Sequence, residues 1–106
     1  MKVVLDECLP KKLCNLFPDY DIQTVPQLGL AGLNDTDLLV KLDELNVDVF
    51  ITIDGNIEYQ QKFDERNFGT VLIRAISNRY EDLRHLQGSI DKSINSCEPG
   101  QVVRIV

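Results

Sequence analysis

VDVFITIDGN (Val47–Asn56) is the stretch that decides the fold. Val47, Val49, Phe50, Ile51 and Ile53 are β-branched or aromatic, as in a largely buried strand. Asp54, Gly55 and Asn56 then turn the chain. Working outward, KVVL (Lys2–Leu5) is a short continuous apolar run of the kind that fills a buried parallel strand, and Asp6 and Glu7 follow it. DIQTV (Asp21–Val25) alternates and stops at Pro26. TVLI (Thr70–Ile73) leads into Arg74, and Pro99 and Gly100 turn the chain into a last strand, Gln101 to Val106. Helical patterns lie between these strands. Pro10 suits a first helical turn with Leu13, Cys14, Leu16 and Phe17 inward, and Pro18 stops it. Asn34 or Asp35 caps a helix with Leu38, Leu39, Leu42 and Leu45 as its stripe. A short polar helix runs from about Ile57 to Phe63. Asn78 and Glu81 have capping-box spacing ahead of a helix that carries Leu83, Leu86, Ile90, Ile94 and Cys97. Pro26 to Leu33 (PQLGLAGL) has no period and reads as a loop packed onto the domain. Strands alternating with helices predict an α/β fold, one domain over residues 1–106, in which a mostly parallel five-stranded sheet lies between helices on both faces.

Bulk properties narrow the function. With 106 residues, 43% apolar and 26% charged, the chain has the size and composition of one globular domain. No apolar run approaches a membrane span, and the first residues lack the long apolar stretch of a secretion signal, so the expectation is a cytoplasmic protein with no membrane partner. Three cysteines and one histidine, with no CxxC pair, speak against a disulfide framework and a Cys/His zinc site. A net charge of −6 gives no basic footprint for many phosphate contacts.

In an open α/β sheet, ligands sit beyond the carboxyl ends of the strands, where the strand order reverses. Asp6 and Glu7 follow the first strand, Asp54 and Asn56 the third, and Arg74 the fourth. If the order is 2-1-3-4-5, Asp6 and Asp54 face each other, and Asp35 and Asp37 can close the site from the first turn of the intervening helix. Grouped carboxylates repel one another unless a cation neutralises them. Oxygen ligands of this kind suit Mg²⁺ or Mn²⁺, and such ions serve phosphodiester hydrolysis. Each residue also has a plainer role. Asp35 stands where a cap belongs, Asp37 suits the helix dipole, and Arg74 and Arg79 either hold a phosphate or pair with acids such as Glu81 and Asp82.

LDECLP (5–10), TVPQLGLAGLNDTDLL (24–39), ITIDGNIEYQQ (51–61) and VLIRAISNRYEDL (71–83) together resemble the short stand-alone branch of the PIN-like nuclease superfamily, a branch often found as the toxin-like half of a toxin–antitoxin pair. The resemblance runs over nearly the whole chain and implies a PIN-like three-layer α/β/α sandwich. It implies an endoribonuclease whose Mg²⁺ or Mn²⁺ is held by Asp6, by Asp35 or Asp37, and by Asp54, with Asn56 where many relatives carry a further acid. Asp6, Asp37 and Asp54 become the catalytic candidates, and Arg74 and Arg79 the candidates for gripping RNA. An antitoxin protein and a homodimer are the implied partners, with loop 26–33 as a candidate interface. Two other readings compete. A catalytically silent PIN-like module acting by binding a partner protein or RNA would accommodate Asn56. A phosphoacceptor receiver domain also places acids after strands 1 and 3, but it needs a Ser or Thr after strand 4, where Arg74 and Ala75 stand, and a lysine after strand 5.

Overall fold

One sheet collects strands from almost the whole length of the chain. In the computed structural model, which describes residues 1–105, the strands are β1 (Lys2–Leu5), β2 (Asp21–Thr24), β3 (Val49–Thr52), β4 (Gly69–Ile73) and β5 (Val102–Ile105). Their order is β2-β1-β3-β4-β5. Every pairing is parallel, so the sheet is wholly rather than mostly parallel. The expected end of the last strand, Val106, lies outside the described residues.

Alternation along each strand divides the core in two. Val3, Leu5, Val49, Ile51, Val71 and Ile73 face one layer, where Leu13, Phe17, Leu83, Ile90 and Ile94 cover them. Val4 and Phe50 face the other, under Leu38, Leu39, Leu42, Ile57, Phe63 and Phe68. The architecture is therefore three layers, α/β/α. Each fully buried Leu, Ile or Phe contributes about 1.5–3 kcal/mol, so the continuous apolar runs are required by burial on both sides.

The helical layers differ in detail from the sequence expectation. Residues Lys11–Leu16 form a 3-10 turn instead of an α-helix, with Pro10 extended at φ −70°, ψ 135° before it. The segment between Pro10 and Pro18 is short and has no capping side chain, so the tighter winding reaches Leu13 and Phe17 into the core without a full helix. α1 spans Asp35–Glu44, and Asn34 is its cap, accepting the Asp37 N–H at 2.9 Å. Leu45 leaves the stripe and is exposed, because the helix ends at Glu44 and Asn46 turns at φ 57°. α2 is the single turn Ile57–Gln60, shorter than expected, since Gln61 is already extended and Phe63 opens a separate 3-10 turn. The expected helix after Asn78 is broken into α3 (Tyr80–Leu83), a 3-10 turn (Arg84–Leu86) and α4 (Gln87–Ser96). Asn78 does not cap it. Its side-chain amide instead donates to the Cys8 carbonyl at 2.9 Å, tying the loop after β4 to the loop after β1. Within loop 26–33, Pro26–Leu28 form a 3-10 turn, and Leu28 and Leu30 pack against the core. No helix among the described residues is long and apolar enough to cross a membrane.

Candidate functional site: a buried carboxylate at the switch point

β1 and β3 are neighbours, and β2 and β4 lie outside them, so the chain winds in opposite directions from this central pair. Asp6 leaves β1 there. It is buried, with 8% of its surface exposed, and its backbone N–H still reaches across to the Ile51 carbonyl of β3 at 2.9 Å. A carboxylate in that position needs donors. Thr52, the last residue of β3, supplies one: its hydroxyl donates to Asp6 Oδ2 at 2.7 Å. The Glu7 N–H donates to Oδ1 at 2.8 Å, and the Cys8 thiol lies 3.5 Å from Oδ2. Burial nevertheless dominates and raises the Asp6 pKa above its ordinary value. The hydrogen bonds from Thr52, Glu7 and Cys8 oppose the shift, and the charge of Glu7 adds to it. A desolvated acid in this part of an α/β fold is a functional candidate on physical grounds.

Asp54 joins Asp6 through the same hydroxyl. Its N–H donates to Thr52 Oγ1 at 3.1 Å, while its own Oδ1 accepts the Asn56 N–H at 3.0 Å and closes a turn into α2. Thr52 thus donates to one acid and accepts from the backbone of the other. The Cys8 thiol lies 3.9 Å from the Thr52 hydroxyl, and burial raises its pKa. Thr52 carries no role in the sequence reading. The signal for Thr52 was its place two residues before Asp54, where strand alternation returns a side chain to the same face.

The remaining candidates stand further apart. Asp35 is half-buried and Asp37 exposed in the first turn of α1, and no hydrogen bond joins either to Asp6 or Asp54. Among the described residues no three His, Cys, Asp or Glu side chains form a group that could hold a metal ion. The Asn56 side chain is exposed. Arg74 is exposed after β4 and lines a cavity of about 290 Å³ with Ile76, Asp82 and His85. Arg79 is engaged by Asp82 at 3.2 Å, and Asp82 also receives the Ser77 hydroxyl.

The donor set suits a hard divalent ion of low protein-ligand number. Mg²⁺ keeps several waters and takes one or two carboxylates. Asp54 meets Thr52 through its backbone N–H, so Asp6 is the acid whose carboxylate the structure fixes here, and a cation would offset the desolvation that disfavours its charge. Comparison of the chain with protein-family models, curated proteins and solved structures finds no match.

Proposed function

We propose that this chain is a Mg²⁺- or Mn²⁺-dependent endoribonuclease of PIN-like type, acting as the toxin half of a toxin–antitoxin pair. The observation that carries the reading is Asp6: a carboxylate desolvated at the switch point and fastened to Thr52, which also receives the Asp54 N–H. Asp6 and Asp54 would hold the ion, with Asp35, Asp37 and the Asn56 carbonyl oxygen as further oxygen donors within the same end of the fold. When bound, such an ion lowers the pKa of a water and stabilises charge on a phosphate under attack. The chain's own part is positional. Thr52 favours the ionised form of Asp6 against burial and fixes its direction. Arg74, exposed and without a carboxylate partner among the described residues, meets a phosphate oxygen more readily than Arg79 does.

A second reading, a PIN-like module that binds RNA or a partner protein without cutting, is favoured by Asn56. Its side chain brings no charge to a site in which Asp6 and Asp54 are the acids that share a hydrogen-bonded residue. Calorimetric titration with Mn²⁺, paired with incubation on mixed RNA, separates the two. Under the first reading the ion binds and cleavage disappears in Asp6→Asn and Asp54→Asn. Mn²⁺ binding without cleavage selects the second. No binding at millimolar Mn²⁺ removes the metal site, and cleavage that survives both substitutions moves the chemistry elsewhere.

A further inference from the structure

The face between the β1 loop and the β2 edge carries a groove with no role in the reading above. Two cavities, of about 390 and 300 Å³, share Lys11 and Gln27 as walls. The smaller opens at Glu7 and Thr24. Thr24 pairs with Leu5, the residue before Asp6, across the β1–β2 ladder, and Glu7 is the residue after it. The larger continues away from the site past Lys12 and Asn15.

The groove is rich in donors. The chain has 17 acids against 11 Lys and Arg, and Lys41, Arg66, Arg79 and Arg104 are each paired with a carboxylate. Among the described residues Lys11 and Lys12 are not. Lys12 is held in place without being neutralised, its Nζ 4.6 Å from the centre of the Tyr80 ring. Gln27 is fixed as well: its Oε1 accepts the Thr24 N–H at 2.8 Å, and its own N–H donates to Thr24 Oγ1 at 3.2 Å. With Oε1 committed, the Gln27 amide presents its NH₂ as a donor. Two cations and one oriented amide in a chain of net negative charge form a local anion path, and its one acid is Glu7, next to Asp6 in the chain.

We propose that this groove seats the single-stranded RNA next to the cleaved bond, with Lys11 and Lys12 on successive backbone phosphates and Gln27 as a neutral donor between them. The proposal rests on the reading of the Asp6 site as a ribonuclease site. An acidic protein segment would satisfy the lysines equally, but only a nucleic-acid strand both neutralises them and delivers a phosphodiester to Asp6.

The test is fluorescence anisotropy with a short labelled oligouridylate in EDTA, so that binding is read without cleavage, over a series of salt concentrations. Each phosphate contact on a single strand contributes a slope of about −0.7 in log K against log salt. Lys11→Ala/Lys12→Ala should weaken binding and flatten the slope by about 1.4, the sum for two contacts. Lys11→Arg/Lys12→Arg should restore the slope, and Lys92→Ala on α4 should leave it unchanged. Wild-type binding with an unaltered slope in the double alanine variant overturns the groove and leaves the ribonuclease reading intact. Failure of the wild-type protein to bind the oligonucleotide at low salt overturns the groove and the RNA reading together. Equal loss in Lys92→Ala, or lysine-dependent capture of polyglutamate in preference to the oligonucleotide, also overturns it.

Discussion

Thr52 donates its hydroxyl to Asp6 Oδ2 at 2.7 Å and accepts the N–H of Asp54 at 3.1 Å, so one buried hydroxyl connects the ends of β1 and β3. Thr52 is fully buried, and water has little access to replace it. Thr52→Val keeps the shape and removes both bonds, leaving a buried carboxylate short of a donor and an N–H short of an acceptor. The expected cost is about 1–3 kcal/mol, measured by urea unfolding. Mn²⁺ affinity should fall in the same variant, because Asp6 loses the bond that favours its charged form. A variant as stable as wild type would show that water reaches the pair.

Asp6 also sets a pH dependence. Its pKa is raised above the ordinary 3.8, chiefly by burial. Between that ordinary value and the raised native one, the folded chain retains a proton that the unfolded chain has released. Stability from this group is therefore greatest below the window and falls as pH rises through it. In metal-free protein the wild-type curve should decline across that range, and Asp6→Asn should remove the decline. Urea midpoints collected from pH 4 upward in EDTA test this; identical curves for the two proteins would contradict it. Mn²⁺ should restore wild-type stability at neutral pH by binding the ionised form.

Much of this was legible in the sequence, and the reasons for success and failure are physical. The strands were readable because burial on both faces demands continuous apolar runs, as in VVL of β1 and VFIT of β3, and the strand order then put Asp6 and Asp54 after neighbouring strands. Helix lengths were less legible. Lys11–Leu16 has apolar spacing that suits either an α-helix or a 3-10 turn, and only the distance between Pro10 and Pro18 separates them. Asn78 and Glu81 have capping-box spacing, yet the pull of the Cys8 carbonyl on the Asn78 side chain wins, a contact between residues 70 apart in the chain. The choice between Asp35 and Asp37 as a site acid was not readable either. Both sit in the first turn of α1, where the helix dipole favours acids whatever their function.

Gly69 shows a packing constraint that the sequence does not advertise. It opens β4, and a side chain there would run into the Cys97 sulfur and come within 2.8 Å of the Glu98 carbonyl oxygen. Gly69→Ala should destabilise by about 1–3 kcal/mol through overpacking. Adding Cys97→Ala should recover part of the loss and leave the share due to the Glu98 backbone. A double-mutant cycle by urea unfolding checks this: strictly additive effects would show that the strain is not at the sulfur.

Asn56 offers the most direct test of the site's chemistry. Its backbone N–H anchors the Asp54 carboxylate at 3.0 Å, while its own side chain is exposed, so Asn56→Asp should leave the turn intact. The substitution adds a negative charge beside the pair that would hold the ion. Without metal, the added repulsion should lower stability by less than about 1 kcal/mol, as expected for an exposed charge. With Mn²⁺ the sign should reverse, because the third carboxylate gains a cation to bind. Affinity by calorimetry should rise about tenfold or more, equivalent to ~1.4 kcal/mol. If the ribonuclease reading holds, cleavage should rise with it and remain dependent on Asp6. An unchanged Mn²⁺ affinity would place the ion away from Asn56 and confine any metal to the Asp6 side of Thr52.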